Sequence, residues 1–267
     1  MKSTTRMGAW IAFLVGAAYF LIPLIATFEF SLRMRRGEYS FDAYRAVFGD
    51  PQFQATFGYS IVMAVVTIVV GVLLVAPTAY WVQLRLPKLR PLVEFITLLP
   101  LVIPAIVIVF GYLRIFNSSS YLPLTNSETA TDFLLVCSYV TLSLPYMYRS
   151  VDTGLRAIDV RTLTEAAEVL GAGRATILFK VIFPNISSAI LSGAFLTFAV
   201  VIGEFTMASL LNRPAFGPYL QLMGANKAYE PSALAVIAFL ITWASMGLIQ
   251  LFGRNAHTRR VQPGTDS

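Results

Sequence analysis

Long apolar runs separated by short polar connectors dominate the chain. Six of them are long enough to cross about 30 Å of hydrocarbon, which takes roughly 20 helical residues. They cover approximately residues 8–30, 57–83, 91–116, 132–149, 187–211 and 231–253. Each is expected to be a helix, because unpaired backbone is prohibitive in lipid and no series of alternating short strands occurs. The fourth run is the shortest. The first, Gly8 to Phe30 behind Lys2 and Arg6, exceeds the roughly 7 to 15 apolar residues of a cleavable signal and reads as a retained anchor.

Polar or helix-breaking residues inside these runs carry the next layer of information. Pro100 and Pro104 each lack a backbone donor, so the third run is expected to kink. In the fifth, Gly193, Thr197, Glu204 and Ala208 share one face of a continuous helix, a stripe that either lines a solute path or lets a second helix approach closely. A carboxylate inside a span costs a few kcal/mol and normally faces a protein interior or a water path. Glu204, in the outer half of the run, is therefore a candidate path residue, with packing or a structural hydrogen bond as the alternative. If it lines a path, its negative potential favours a cationic solute. Glu29 and Glu94 fall near the ends of their runs and read as interfacial.

The connector at about 150–186 has a pattern of its own. Leu163, Ala166, Ala167 and Leu170 recur at i, i+3, i+4 and i+7, one face of a short helix. Thr162 followed by Glu165 reads as a capping box, and Gly171-Ala172-Gly173 as a stop. The predicted helix, Leu163–Leu170, is about 12 Å long. Its narrow face, flanked by Glu165 and Glu168, suits a small groove on a protein better than an anionic lipid surface; the alternative is that it lies against the bilayer or covers the ends of the spans. With no internal repeat and no soluble segment, residues 1–267 read as a single transmembrane domain.

Composition agrees with this division. Charged residues make up 13% of the chain, about half the roughly 25% of a soluble domain, and mean hydropathy is +0.69. The class is an all-α integral membrane protein with six transmembrane helices. Cys137 is the single cysteine and His257 the single histidine, so the chain by itself offers no disulfide and no His/Cys metal cluster. No phosphate-cradling Gly-rich loop occurs either, which places any ATP chemistry on another subunit. No metal, cofactor or catalytic group is expected.

The 20 Lys and Arg outnumber the 14 Asp and Glu, but they sit in short clusters between apolar runs rather than on a nucleic-acid-binding face. With six spans, Arg33, Arg35, Arg36, Arg45, Arg114, Arg213 and Lys227 fall on one side, and the other thirteen fall with the tails. Both termini are therefore expected to be cytoplasmic, in a multi-pass protein of the inner (plasma) membrane.

The 150–186 connector also carries a resemblance. Glu165-Ala166-Ala167, three residues, Gly171, nine residues and then Val181-Ile182-Phe183-Pro184 resembles the EAA loop of ABC importer permease subunits, with Val181 and Phe183 in place of that pattern's Ile and Leu. It lies between the fourth and fifth runs, as in that family. The resemblance implies a type I ABC importer permease fold. It also implies that Glu165, Ala166, Ala167, Leu170, Gly171 and Pro184 belong to a coupling loop docked on cytoplasmic ATPase subunits. A second permease chain would complete the pathway, and a periplasmic or lipid-anchored solute-binding protein would deliver the solute, with ATP driving alternating access and no covalent chemistry on this chain.

The segments LLPLVIPAIVIVFGYL and LTFAVVIGEFTMASLL look like those of spermidine/putrescine permeases, which implies a polyamine solute. Permeases for ferric iron, thiamine, sulfate or phosphonate have similar segments. A secondary transporter would need intramembrane ion relays and usually inverted repeats, for which Glu204 alone is thin support.

Overall fold

The structure, a computed structural model, describes residues 2–35 and 37–258; Arg36, Arg259 and Arg260 of the charge count lie outside the described residues. The chain begins with α1 (Lys2–Ser31), α2 (Asp42–Phe48), α3 (Pro51–Leu84), α4 (Arg90–Val102), α5 (Ala105–Ile115) and α6 (Glu128–Arg156). It continues with α7 (Val160–Val169), α8 (Arg174–Thr176), a π-helical stretch (Ile177–Ile182) and α9 (Phe183–Asn185). The last helices are α10 (Ser187–Gly203), α11 (Thr206–Leu210), α12 (Phe216–Asn226) and α13 (Glu230–Thr258). Among the described residues the β-pairing is confined to one isolated bridge, Arg35 with Glu38.

Among the described residues, three stretches are long and apolar enough to cross a bilayer as single rods: Gly8–Ser31 in α1, Pro51–Leu84 and Glu128–Arg156. The fourth apolar run, the shortest by sequence, is thus one of the longest helices. It runs on through charged flanks, where Asp132 pairs with Arg213 at 2.7 Å, and Asp152 with Arg90 at 3.0 Å and Arg156 at 2.6 Å. Pairing removes most of the penalty that an isolated charge would bring.

The third run is broken rather than kinked. α4 and α5 meet at 99°, because Pro104 pushes the residue before it out of the helical region, and Ile103 is extended at φ −85, ψ 120. Pro100 is absorbed inside α4. The fifth run is also discontinuous: α10 ends at Gly203, Glu204 is extended at ψ 130, and α11 follows. On its other side α10 meets the arm Arg174–Asn185, made of α8, the π stretch and α9, at 80°. The sixth run lies on α13, which is apolar over Glu230–Ala244 among the described residues.

Contacts fall into two compact units. One comprises residues 1–55 and 219–241. Here the Ser31 and Tyr44 hydroxyls share a hydrogen bond of 2.7 Å, Phe30 stacks on Tyr229 at 5.0 Å, and the Tyr219 hydroxyl donates to Asp50 at 2.7 Å. Among the described residues, none of the apolar window of α1 is buried, which leaves Trp10, Phe13 and Tyr19 exposed.

The other unit, built on residues 56–218, holds two apolar cores among the described residues. One joins Tyr80 of α3, Met147, Val151 and Leu155 of α6, Val160 and Ala167 of α7, and Ile177 and Ile182 of the π stretch. The second joins Ala64, Val109, Leu135, Tyr139, Val201 and Met207. Helices α6 and α10 approach closely where small residues face each other. A Cβ on Gly154 would run into the Cβ of Ala189, and one on Gly193 would lie 2.8 Å from Met147 Sδ. In lipid, where apolar surface gains nothing by leaving the solvent, such close packing supplies much of the association energy.

Candidate functional site

The short helix of the 150–186 connector exists but starts earlier than its sequence pattern indicates. Asp159, not Thr162, is the N-cap: its carboxylate accepts from the Thr162 N–H at 3.1 Å and from the Thr162 hydroxyl at 2.7 Å. A carboxylate serves both donors at once, which a threonine at the cap does not, so the helix gains its first turn from Val160. These bonds hold the Asp159 carboxyl below the usual carboxylate range. Glu165 does not reach back to close a capping box; it accepts from Arg161 at 2.8 Å.

The stop is where the sequence places it. Gly171 has φ +80, its N–H donates to Glu168 O at 2.9 Å, and the Ala172 N–H donates to Ala167 O at 3.0 Å. This is a Schellman ending, with glycine at the left-handed position.

Which side of α7 faces inward also differs from the expected stripe. Val160, Thr164 and Ala167 are buried and Leu163 is half-buried, fixed by the Tyr80–Thr164 hydroxyl pair at 3.1 Å. Ala166 and Leu170 point outward, and Val169 and Leu170 are 87% and 85% exposed. The four apolar positions read as one face therefore straddle two. The missed signal was Val160 at i−4 from Thr164, which completes an inner stripe. What remains outside is a compact apolar knob, Ala166, Val169 and Leu170, beside Glu165 and Glu168, with Glu168 3.8 Å from Arg85. Pro184 is exposed in the first turn of α9, where its missing N–H costs little.

The fifth-run stripe is divided by the helix break, so Gly193 and Thr197 do not share a helical face with Glu204 and Ala208. The correction follows from the extended backbone at Glu204. Gly193 supplies the close approach to α6, and Thr197 is fully buried with no hydrogen-bond partner for its hydroxyl among the described residues. Glu204 is 9% exposed and caps α11, its two oxygens accepting from the Met207 N–H at 2.7 Å and the Ala208 N–H at 3.2 Å. Ala208 is buried in the core around Val201 and Met207. The N-terminus of α12 seals this corner: any side chain at Gly217 would collide with the Glu204 carbonyl.

Sequence reasoning missed a charged cluster. Arg90 bonds Glu94 at 2.9 Å and Asp152 at 3.0 Å, while Arg156 bonds Asp152 at 2.6 Å and Glu94 at 3.2 Å. Both i,i+4 pairs were legible, but the cross-links between α4 and α6 were not. The cluster lies beside a cavity of about 400 Å³ that Tyr148 and Arg149 also line. At the far end of α6, Arg213 lies over the ring of Tyr59, whose hydroxyl donates to Asp132 at 2.5 Å.

Comparison with known proteins gives a consistent picture. The family described as binding-protein-dependent transport system inner membrane component matches residues 76–262. A probable molybdenum ABC transporter permease of Haloferax volcanii is 31% identical over 57% of this chain and 56% of its own length. The spermidine/putrescine permease PotC of Haemophilus influenzae is 32% identical over 45% of this chain and 48% of its own. The chain thus spans about half the length of these two curated relatives. PotB of the same organism is 26% identical over 76% of this chain and 74% of its own. Among solved structures, a bacterial ABC transporter that imports alginate shares the fold at TM-score 0.66 and 20% identity, covering 94% of this chain and 98% of that one.

Proposed function

The chain belongs to the family of binding-protein-dependent transport system inner membrane components, and from that premise we propose that it is the membrane-spanning half of an ATP-driven importer whose ATPase is a separate subunit. The observation that carries the proposal is α7. Its inner face is fastened to α3 and α6, both ends are capped, and an apolar knob of Ala166, Val169 and Leu170 is left in the open. A knob held this rigidly transmits a push from a docked partner into the two long helices with little loss in bending. Glu165, beside the knob, and Gly171, which ends the helix, shape the docking surface; Pro184 sits at the far end of the arm that returns the chain to α10. A second permease chain and a solute-binding protein complete the assembly, and both termini face the cytoplasm.

Leu170→Asp tests this reading. The side chain is 85% exposed, so folding should be unaffected, while a charge in an apolar groove should abolish ATPase co-purification and uptake. Retained co-purification and uptake would refute the docking role.

For the solute we favour a polyamine such as spermidine or putrescine, supported by the likeness to PotC and PotB. The likeness to the probable molybdenum permease supports a molybdenum solute as the second reading. Glu204 does not discriminate between them, because its charge is answered by the α11 amides. A role for Gly193, Thr197, Glu204 and Ala208 in translocation is accordingly proposed as indirect: they hold α10 against α6 and fix the break in the fifth span. Solute binding by the associated binding protein separates a polyamine from a molybdenum solute.

A further inference from the structure

The arm Arg174–Asn185 has chemistry that docking of α7 does not use. Ile177, Leu178 and Ile182 face the core, whereas Arg174, Phe179 and Lys180 are exposed, Phe179 by 50%. The segment contains no acidic residue. Neither Arg174 nor Lys180 forms an ion pair among the described residues; Arg174 instead lies 5.4 Å from the ring centre of Trp81 near the end of α3. Phe179 packs edge-on against Phe183 at 5.1 Å. The neighbouring α7 is different, since it carries Glu165 and Glu168 beside its apolar knob.

Orientation completes the argument. α10 has 17 residues and is about 26 Å long, enough to cover most of the hydrocarbon. The arm meets it at 80°, so with α10 along the membrane normal the arm lies close to the membrane plane at one interface. A helix in that plane with an inward apolar face, two unpaired cations, an exposed aromatic ring and a neighbouring tryptophan has the composition of an interfacial segment. We propose that the arm is a docking surface for anionic phospholipid, with Arg174 and Lys180 engaging lipid phosphates and Phe179 inserting at the acyl boundary. The charge is complementary to an anionic leaflet, and the surface goes beyond the ATPase contact assigned to α7.

The test uses the purified full chain in nanodiscs of mixed phosphatidylglycerol and phosphatidylcholine, with the lipids retained after partial delipidation counted by native mass spectrometry. Wild type should retain phosphatidylglycerol preferentially. In Arg174→Gln/Lys180→Gln the preference should fall about fivefold per cation removed, about 25-fold in total. The control Arg45→Gln/Arg114→Gln removes the same charge elsewhere and should keep the preference. No preference in wild type would overturn the proposal, as would equal loss in the control. So would protection of Arg174 and Lys180 from chemical labelling solely when an ATPase subunit is bound, because the surface would then belong to a protein partner.

Discussion

Gly171→Val should loosen the end of α7 without disturbing the spans. The backbone at Gly171 has φ +80, and no heavy atom lies within 4 Å of where a Cβ would sit, so the penalty is conformational rather than steric. An L-residue in the left-handed region costs about 1–2 kcal/mol, more when β-branched. The chain escapes this strain only by abandoning the two closing bonds, Gly171 N–H to Glu168 O at 2.9 Å and Ala172 N–H to Ala167 O at 3.0 Å. Those are worth about 1 kcal/mol each. Either route raises the local free energy by about 2 kcal/mol, a factor of roughly thirty in the opening equilibrium. Amide exchange at position 171 and at Ala172 should accelerate by about that factor, and ATPase co-purification should fall, because Val169 and Leu170 sit on the turn that frays. Gly171→Asn, which tolerates the left-handed region, should stay near wild type. So should Gly173→Ser, because Gly173 has an ordinary φ of −73 and caps α8. Wild-type exchange and normal co-purification in Gly171→Val would refute the reasoning.

Other elements of the fold give sharp expectations. Glu204→Gln keeps one acceptor for two α11 amides, so thermal stability should drop by about 1–2 kcal/mol; full stability with lost uptake would show instead that the charge acts on the solute. Gly154→Val places a branched side chain against Ala189 and Ile186, which should cost about 1–3 kcal/mol, read as a lower melting temperature in detergent. The Asp159 carboxyl is depressed by its bonds to Thr162, so the cap is fully in place above the ordinary carboxylate pKa and is lost as pH falls through the lower folded value. Exchange protection of the first turn of α7 should follow that titration, and Asp159→Ala should abolish the pH dependence.

Apolar run length was enough to locate the helices of the first two runs, because the bilayer imposes a length scale on a straight crossing segment, but not the breaks in the third and fifth runs or the full extent of the fourth. The Schellman glycine was equally legible: the left-handed conformation is a property of a single residue and needs no neighbour to decide it. Pro104 marked a disturbance in the third run, but not its size. A proline removes one donor whether the chain bends a little or turns through 99°, and the outcome depends on what packs around Ile103.

Partnership was what the sequence did not carry. The fourth run looked short because Asp132, Arg149, Asp152 and Arg156 depress its hydropathy; their neighbours from α3, α4 and the segment after α11 make most of these charges acceptable in a long helix. A local reading of Glu204 gave a lone carboxylate on a continuous face, whereas the tertiary structure breaks the helix there and turns that carboxylate onto the α11 amides. On α7, Leu163 and Leu170 are equivalent by periodicity, and the packing of Val160 and Ala167 into the core together with the Tyr80–Thr164 contact decides which way the helix is rolled. Backbone handedness, as at Gly171, is a local free energy that the sequence sets by itself. The pairing of charges and the facing of helices depend on residues tens to more than a hundred positions apart, and those contacts are made only when the chain is folded.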